Sequence, residues 1–146
     1  MMPEGADAEA AVAGDEAGPL PHTGPFQNVI GYEIIRLTDG RPAARLEVGA
    51  HLLNQYEIGH GGVALALLDV AGGLAVWDHC KPRGGMATVS MNTAFLDAVR
   101  PGTLYAIGRV ERAGGTLAYS YMTLHAQAPD GKLLASAQGV YRIFNG

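Results

Sequence analysis

The sequence predicts an α+β fold in which an antiparallel sheet of five to six strands wraps around one long central helix. The helix is predicted over residues 61–77, because this stretch is apolar on every side apart from Asp69, and a helix that is apolar all round has to be buried. Stretches with strand character flank it, two before it and four after it. Short turns join these strands, and such turns require antiparallel pairing.

Ahead of the helix, the chain divides into a tail and the first part of the sheet. Residues 1–23 are rich in Ala, Gly, Pro and acidic side chains without apolar periodicity, so they predict a disordered acidic tail, and residues 24–146 predict the folded domain. The domain begins with a helical turn, two strands and a polar loop, over 24–31, 32–38, 43–48 and 52–59.

After the helix, β-branched and aromatic residues predict four strands in hairpin succession, over 86–95, 104–112, 117–127 and 132–144. In the third of these strands, Tyr119 and Tyr121 alternate with Ser120 and Met122, so its two faces differ in character. One helix cannot cover every face of a half-wrapped sheet. A second copy of the chain is therefore expected alongside, and we predict a homo-oligomer, either a dimer or a dimer of dimers.

Length, charge and cysteine content restrict the class of protein. The chain of 146 residues fits one domain, and its net charge of −4 comes from the acidic tail. The remainder is near neutral without a cluster of Lys and Arg, so nucleic acid is not an expected partner. No apolar run approaches the roughly 20 residues of a membrane span, and no secretory signal is recognisable, so we expect a cytoplasmic protein without membrane contact. The single cysteine, Cys80, excludes an internal disulfide.

Asp69 is the one carboxylate in the predicted central helix. An unpaired carboxylate in apolar surroundings costs several kcal/mol or becomes protonated, so its presence needs a chemical reason. Two interpretations are open. Asp69 is a structural residue, hydrogen-bonded to backbone or to a buried hydroxyl, or it takes part in a reaction.

The sequence His60-Gly61-Gly62 lies at the predicted start of the helix, where backbone N–H groups lack partners and the helix dipole is positive. Two glycines there allow close approach of an oxyanion or a phosphate; the alternative is that they only form a tight turn. Asp69 lies about 12 Å further along the helix axis. If both ends serve one site, Asp69 of one protomer has to meet the helix start of another.

Several motifs carry a resemblance to a known family. Residues 54–69 contain N-x5-H-G-G with an Asp seven residues after the second glycine, residues 25–31 read P-F-x4-G, and T-V-S-M-N-T-A-F-L at 88–96 precedes R-P-G at 100–102. In this order, the chain resembles the hotdog-fold acyl-CoA thioesterases, in the phenylacetate-type (PaaI) branch of the 4-hydroxybenzoyl-CoA thioesterase superfamily. The resemblance implies a hotdog fold and hydrolysis of acyl-CoA thioesters.

The resemblance also implies a role for each motif residue. The backbone N–H of Gly61 would polarise the thioester carbonyl, with His60 and Asn54 shaping that end of the pocket. Asp69 of the other protomer would act as general base on water or as nucleophile, and Thr88 of that same protomer would help to place the water. Neither a metal nor a separate cofactor is expected, because coenzyme A is part of the substrate.

Coenzyme A needs groups that hold its phosphates. Gly62 at the helix start, and Arg83, Arg109 and Arg112, are the candidates, since guanidinium groups match phosphate oxygens and helix starts attract anions. The arginines are equally compatible with solvated surface positions.

Two other functions remain as alternatives. A hotdog-type acyl hydratase or dehydratase would pair a carboxylate with a catalytic histidine, and no histidine stands in a matching context. A non-catalytic acyl-CoA binding module would keep the glycine-rich helix start but would not need Asp69.

Overall fold

A computed structural model describes residues 20–145. Two α-helices and six strands follow one another there, as α1 (Pro25–Ile30), β1 (Glu33–Arg36), β2 (Pro42–Val48), α2 (Gly61–Cys80), β3 (Met86–Phe95), β4 (Gly102–Ala113), β5 (Leu117–Ala126) and β6 (Lys132–Ile143). The predicted α+β hotdog architecture, an antiparallel sheet around one long helix, is confirmed. Most of the predicted acidic tail, residues 1–19, lies outside the described residues.

The strand order in the sheet is β1-β2-β4-β5-β6-β3, which corrects the predicted hairpin succession of the last four strands. β3 pairs with β6 rather than with β4, so that Phe95 lies opposite Ala135. The connection between β3 and β4 is not a tight turn. It crosses the start of α2, where the N–H of Gly59 donates to the carbonyl of Val99 at 2.6 Å, and Val99 is buried.

The central helix packs closely against the concave side of the sheet. Its buried residues are Val63, Ala64, Leu67, Leu68, Ala71, Gly72, Leu74, Ala75 and Val76. At the closest approach, a Cβ atom on Gly108 of β4 would lie 2.5 Å from the carbonyl oxygen of Ala71. Small residues on both elements are therefore needed for this packing.

One face of α2, called the open face below, is only partly covered within a single protomer. Gly61, Leu65, Asp69, Gly73 and Trp77 follow one another at intervals of four residues along this face, and Leu65 is 38% exposed. The helix is also long and apolar enough to cross a membrane by length and composition alone, yet nine of its residues are buried in the fold, as in the core helix of a globular domain. The apolar pattern predicts that α2 is buried on every side, but a single chain does not bury this face.

The two edges of the sheet differ in length and exposure. β1 has four residues, whereas β3 has ten, most of them exposed in the protomer. Val89 and Phe95 of β3 are 59% and 56% exposed. A long edge strand with exposed apolar side chains offers unpaired backbone groups to another strand.

Candidate active site

The start of α2 is capped by the side chain of His60. Its Nδ1 atom accepts a hydrogen bond of 2.8 Å from the N–H of Gly62, so the proton of the neutral ring is carried by Nε2. The carbonyl of His60 accepts from Val63 at 2.9 Å. Across residues 20–145, the N–H of Gly61 donates to no protein atom. A free donor therefore lies at the positive end of a 20-residue helix.

Asn54 organises the loop that leads into this helix start. Its Oδ1 atom accepts from the N–H groups of Tyr56 at 2.8 Å and of Ile58 at 3.4 Å. The N–H of His60 donates to the carbonyl of Leu52 at 2.9 Å. The structure thus gives Asn54 and His60 defined positions around Gly61, and their part in a reaction stays a prediction.

The carboxylate of Asp69 is held by donors from two strands. Thr88 of β3 donates through Oγ1 to Oδ1 of Asp69 at 2.8 Å. The hydroxyl of Tyr141 on β6 lies 3.2 Å from the same Oδ1 atom and 3.0 Å from the backbone carbonyl of Asp69. Within the described chain, Oδ2 has no protein partner. One oxygen is anchored, and the other is available.

A β-bulge in β3 directs Thr88 towards the helix. Thr88 lies opposite Tyr141 and Ser90 lies opposite Val140, so Val89 is an extra residue in the strand. In a regular strand, residues 88 and 91 would point to opposite faces; the bulge lets both Thr88 and Met91 face α2. The Asp69–Thr88 hydrogen bond depends on this irregularity.

A cavity of about 380 Å³ lies beside the Asp69 carboxylate, within the range of small-molecule sites. It follows the open face of α2 towards the C-terminal end of the helix, and its walls are mainly apolar and aromatic. Besides Asp69, Thr88 and Tyr141, the lining includes Phe26, Tyr32, Leu74, Trp77 and Met86. No histidine is among the described residues that line it.

The hydroxyl of Tyr141 remains protonated at working pH. Burial raises the pKa of Tyr141, and the neighbouring carboxylate of Asp69 raises it further. Tyr141 is therefore a permanent hydrogen-bond donor. Residues 20–145 contain no group of three or more His, Cys, Asp or Glu arranged to hold a metal.

The three candidate arginines lie away from the cavity lining. Arg109 stacks over the ring of Tyr121, with its guanidinium carbon 4.6 Å from the ring centre, on the face of the sheet opposite α2. Arg112 lies opposite Tyr119. Arg83 lies in the connection between α2 and β3 and donates to the carbonyl of Asn145 at 3.3 Å. Their assignment to coenzyme A stays a prediction.

The predicted site residues thus form two groups. Asp69 and Thr88 are brought into contact, whereas Asn54, His60, Gly61 and Gly62 cluster at the helix start, about 12 Å away along the axis. Tyr141 belongs to the first group and is not among the predicted site residues. The sequence feature that could have indicated Tyr141 is Gly139, two positions earlier, because its lack of a side chain leaves space for the Tyr141 ring.

Comparisons with known proteins identify the family of this chain. Residues 56–131 match the thioesterase superfamily. A Thermoplasma volcanium protein provisionally named as an esterase, TV1331, is 30% identical over 121 residues, which are 82% of this chain and 87% of that protein. The chain therefore belongs to the thioesterase superfamily, as its motifs suggested.

Two solved structures have a similar fold. BH2602 of Bacillus halodurans, determined with CoA, is 21% identical with a TM-score of 0.77, covering 87% of this chain and 83% of its own. The Escherichia coli PaaI protein from the phenylacetic acid degradation operon is 20% identical with a TM-score of 0.73, covering 85% of this chain and 87% of its own. At these identities the likeness concerns the fold.

Proposed function

We propose that this protein hydrolyses acyl-CoA thioesters to a free acid and coenzyme A. The observation that carries the proposal is the Asp69 carboxylate, anchored through Oδ1 and free at Oδ2, beside a cavity of about 380 Å³. Water adds its oxygen to the thioester carbonyl carbon, the carbon–sulfur bond breaks, and a water proton goes to the sulfur of coenzyme A. As general base, Asp69 takes the proton from water and the departing sulfur receives it. As nucleophile, the Asp69 carboxylate attacks the carbonyl carbon, the carbon–sulfur bond breaks to release coenzyme A and form an acid anhydride, and water then hydrolyses the anhydride to the free acid and the carboxylate.

The developing oxyanion needs a donor at the other side of the carbonyl. We assign this role to the N–H of Gly61, which lies at a helix start and has no protein partner among residues 20–145. The Gly62 N–H is already occupied by His60. A side chain on Gly61 would meet only the ring of Phe95, at 3.7 Å, so one protomer does not require glycine there. Close approach of a substrate to the N–H would require glycine at this position.

Asp69 and Gly61 of one chain are too far apart for one thioester carbon, so the site is shared between two protomers. Two surfaces support a homodimer: the open face of α2, which carries Asp69 and Gly61, and the long exposed edge of β3. Pairing of two β3 edges would extend the sheet and place the open helix faces next to each other. A dimer of dimers is compatible with this arrangement.

The cavity beside Asp69 receives the acyl group. Its aromatic and apolar lining, with Phe26 and Trp77, favours aryl-acetyl or medium-chain acyl groups. The CoA seen with the Bacillus halodurans neighbour supports coenzyme A as the thiol portion. Arg83, Arg109 and Arg112 remain the candidates for its phosphates. The N–H of Gly62 already donates to His60 and is not available to a phosphate, which counts against the predicted role of Gly62. We also propose that the protein acts in the cytoplasm.

A panel of aromatic, short, medium and long acyl-CoA thioesters tests the activity through release of free thiol. We expect turnover of at least one aryl-acetyl or medium-chain member, and about 10³-fold slower turnover by an Asp69→Asn variant. Crotonyl-CoA, followed by loss of the enoyl absorbance, distinguishes the hydratase alternative. Absence of hydrolysis across the panel would exclude the proposal.

Mixing two inactive variants tests the shared site. Dimers of Asp69→Asn and Gly61→Val chains, unfolded and refolded together, contain one intact site per heterodimer. Random pairing then restores about a quarter of the wild-type activity, because half of the dimers are heterodimers. Each variant refolded alone is the control, and no recovery in the mixture would contradict a site built from two chains.

A further inference from the structure

We propose that Tyr141 is a positioning residue for the reaction: together with Thr88 it fixes Oδ1 of Asp69, so that Oδ2 is the oxygen that acts on water or on the thioester. This inference rests on the proposed function of Asp69 and assigns a role to a residue and to an individual oxygen that the thioesterase activity alone leaves open.

The hydrogen bonds determine which oxygen is free. Thr88 has one hydroxyl proton, and at 2.8 Å from Oδ1 it is donated to Asp69, so towards a water molecule Thr88 can only accept. Tyr141 also has one proton and two acceptors within reach, Oδ1 at 3.2 Å and the backbone carbonyl of Asp69 at 3.0 Å. Both alternatives hold the same residue in place. Neither uses Oδ2.

The ring of Tyr141 lies in a slot made by glycines from two elements. A Cβ atom on Gly72 of α2 would lie 2.9 Å from Cζ of Tyr141, and one on Gly139 of β6 would lie 2.8 Å from its Cε2. Contacts this short are not compatible with a side chain at either position. The helix at this point is held in turn by Ser120, whose hydroxyl donates to the carbonyl of Gly72 at 3.2 Å.

A donor on the carboxylate has a chemical consequence as well as a geometric one. It stabilises the ionised carboxylate, which is the form required of a base or nucleophile, and it prevents rotation of the carboxylate about its bond to Cβ. Removing the donor leaves substrate contacts elsewhere unchanged. The effect should therefore be on kcat and on its pH dependence rather than on KM.

The test compares Tyr141→Phe with Tyr105→Phe in the full-length protein. Tyr105 is another buried tyrosine, on β4, and it neither contacts Asp69 nor lines the cavity. We expect Tyr141→Phe to lower kcat about tenfold, with KM within about twofold, as for loss of one hydrogen bond to a charged group. The acid limb of its pH–kcat profile moves to higher pH. In Tyr105→Phe, both measurements stay at the wild-type values.

Two spectroscopic measurements need no substrate and separate this inference from the proposed function. With aspartate labelled at the carboxyl carbon, the Asp69 carboxyl resonance at neutral pH changes in Tyr141→Phe but not in Tyr105→Phe, because only Tyr141 lies within hydrogen-bond distance of Oδ1. In protein labelled at Cζ of tyrosine, replacement of Asp69 by Asn shifts the Tyr141 resonance and leaves the Tyr105 resonance unchanged.

The outcomes are distinguishable. A Tyr141 resonance that is the same in wild type and in folded Asp69→Asn protein overturns the inference, whether or not any acyl-CoA is hydrolysed. An active enzyme whose kcat and pH profile are unchanged by Tyr141→Phe also overturns it while the proposed function stands. Resonances of Asp69 and Tyr141 that respond to each other's substitution, without hydrolysis of any thioester, would support the assignment of Oδ1 and count against the proposed function.

Discussion

The two ends of the open face of α2 differ in how far one chain completes them. At Asp69, one chain supplies the hydrogen-bond partners and the cavity: β3 provides Thr88, β6 provides Tyr141, and a cavity adjoins the carboxylate. At Gly61 they are open, since the N–H has no protein partner within the described residues and the nearest side chain, Phe95, is itself exposed. The carboxylate end is preorganised by folding of one chain, whereas the proposed function assigns the completion of the helix start to a substrate and a second protomer.

The glycines at the two ends show the same difference. Gly72, near Asp69, is required by the ring of Tyr141 in the same chain. Gly61 has no such neighbour in its own chain, and the proposed function accounts for the glycine by the close approach of a substrate. Substitution of Gly72 should therefore affect the packing of its own protomer, whereas substitution of Gly61 should affect substrate binding and turnover.

The largest effect is expected at the carboxylate. Asp69→Asn removes the base or nucleophile and lowers kcat about 10³-fold, within the range of general acid–base catalysis. Folding should be retained, because the Asn oxygen still accepts from Thr88 and Tyr141. Thiol release and thermal unfolding measure the two properties. Asp97→Asn, on the surface beside Lys132, is the control; full activity of Asp69→Asn would contradict the mechanism.

At the helix start, Gly61→Ala should lower kcat/KM about 100-fold by keeping the thioester oxygen away from the N–H donor. The melting temperature should change little, since the new Cβ atom makes only an ordinary contact with Phe95 at 3.7 Å. Gly59→Ala provides the contrast: its Cβ atom would lie 2.6 Å from Val99, which should destabilise the fold by about 1–3 kcal/mol. Equal losses of stability in both variants would remove the distinction between the two ends.

A smaller effect is expected at Thr88. Thr88→Val keeps the shape of the side chain and removes the donor to Oδ1, so kcat should fall about tenfold. Thr88→Ser retains the hydroxyl and should keep activity within about twofold of wild type. If the valine and serine variants have the same kcat in a thiol-release assay, the hydroxyl does not contribute.

The smallest effect concerns stability at alkaline pH. Burial and the adjacent Asp69 raise the pKa of Tyr141 above the ordinary 10.0, so the unfolded chain loses this proton at a lower pH than the folded one. The stabilisation is complete below about pH 10 and declines above it, by about 1.4 kcal/mol per pH unit. Urea unfolding at about pH 8 and pH 11 should show a steeper loss in wild type than in Tyr141→Phe. Parallel losses would contradict a protonated, buried Tyr141.

Much of the fold follows from local pattern. The all-apolar stretch predicts α2, alternation predicts the faces of β5, and the turn residues place most strand boundaries within a few positions. The pairing of β3 was predicted wrongly, because turn signals favour partners that are adjacent in sequence. The segment after β3 instead crosses the helix start, fastened by the Gly59–Val99 hydrogen bond. Such a contact joins residues far apart in the chain and leaves no periodic trace.

The sequence by itself determined the central helix, the position of Asp69 on it, the glycine-rich helix start and the membership of the thioesterase superfamily. These depend on residue type and spacing, which are local properties. Only the tertiary structure decided that a bulge at Val89 turns Thr88 inwards and that Gly72 and Gly139 admit the ring of Tyr141 to the carboxylate. Both depend on the register between strands and on the distance between helix and sheet, which are set by packing of the whole domain.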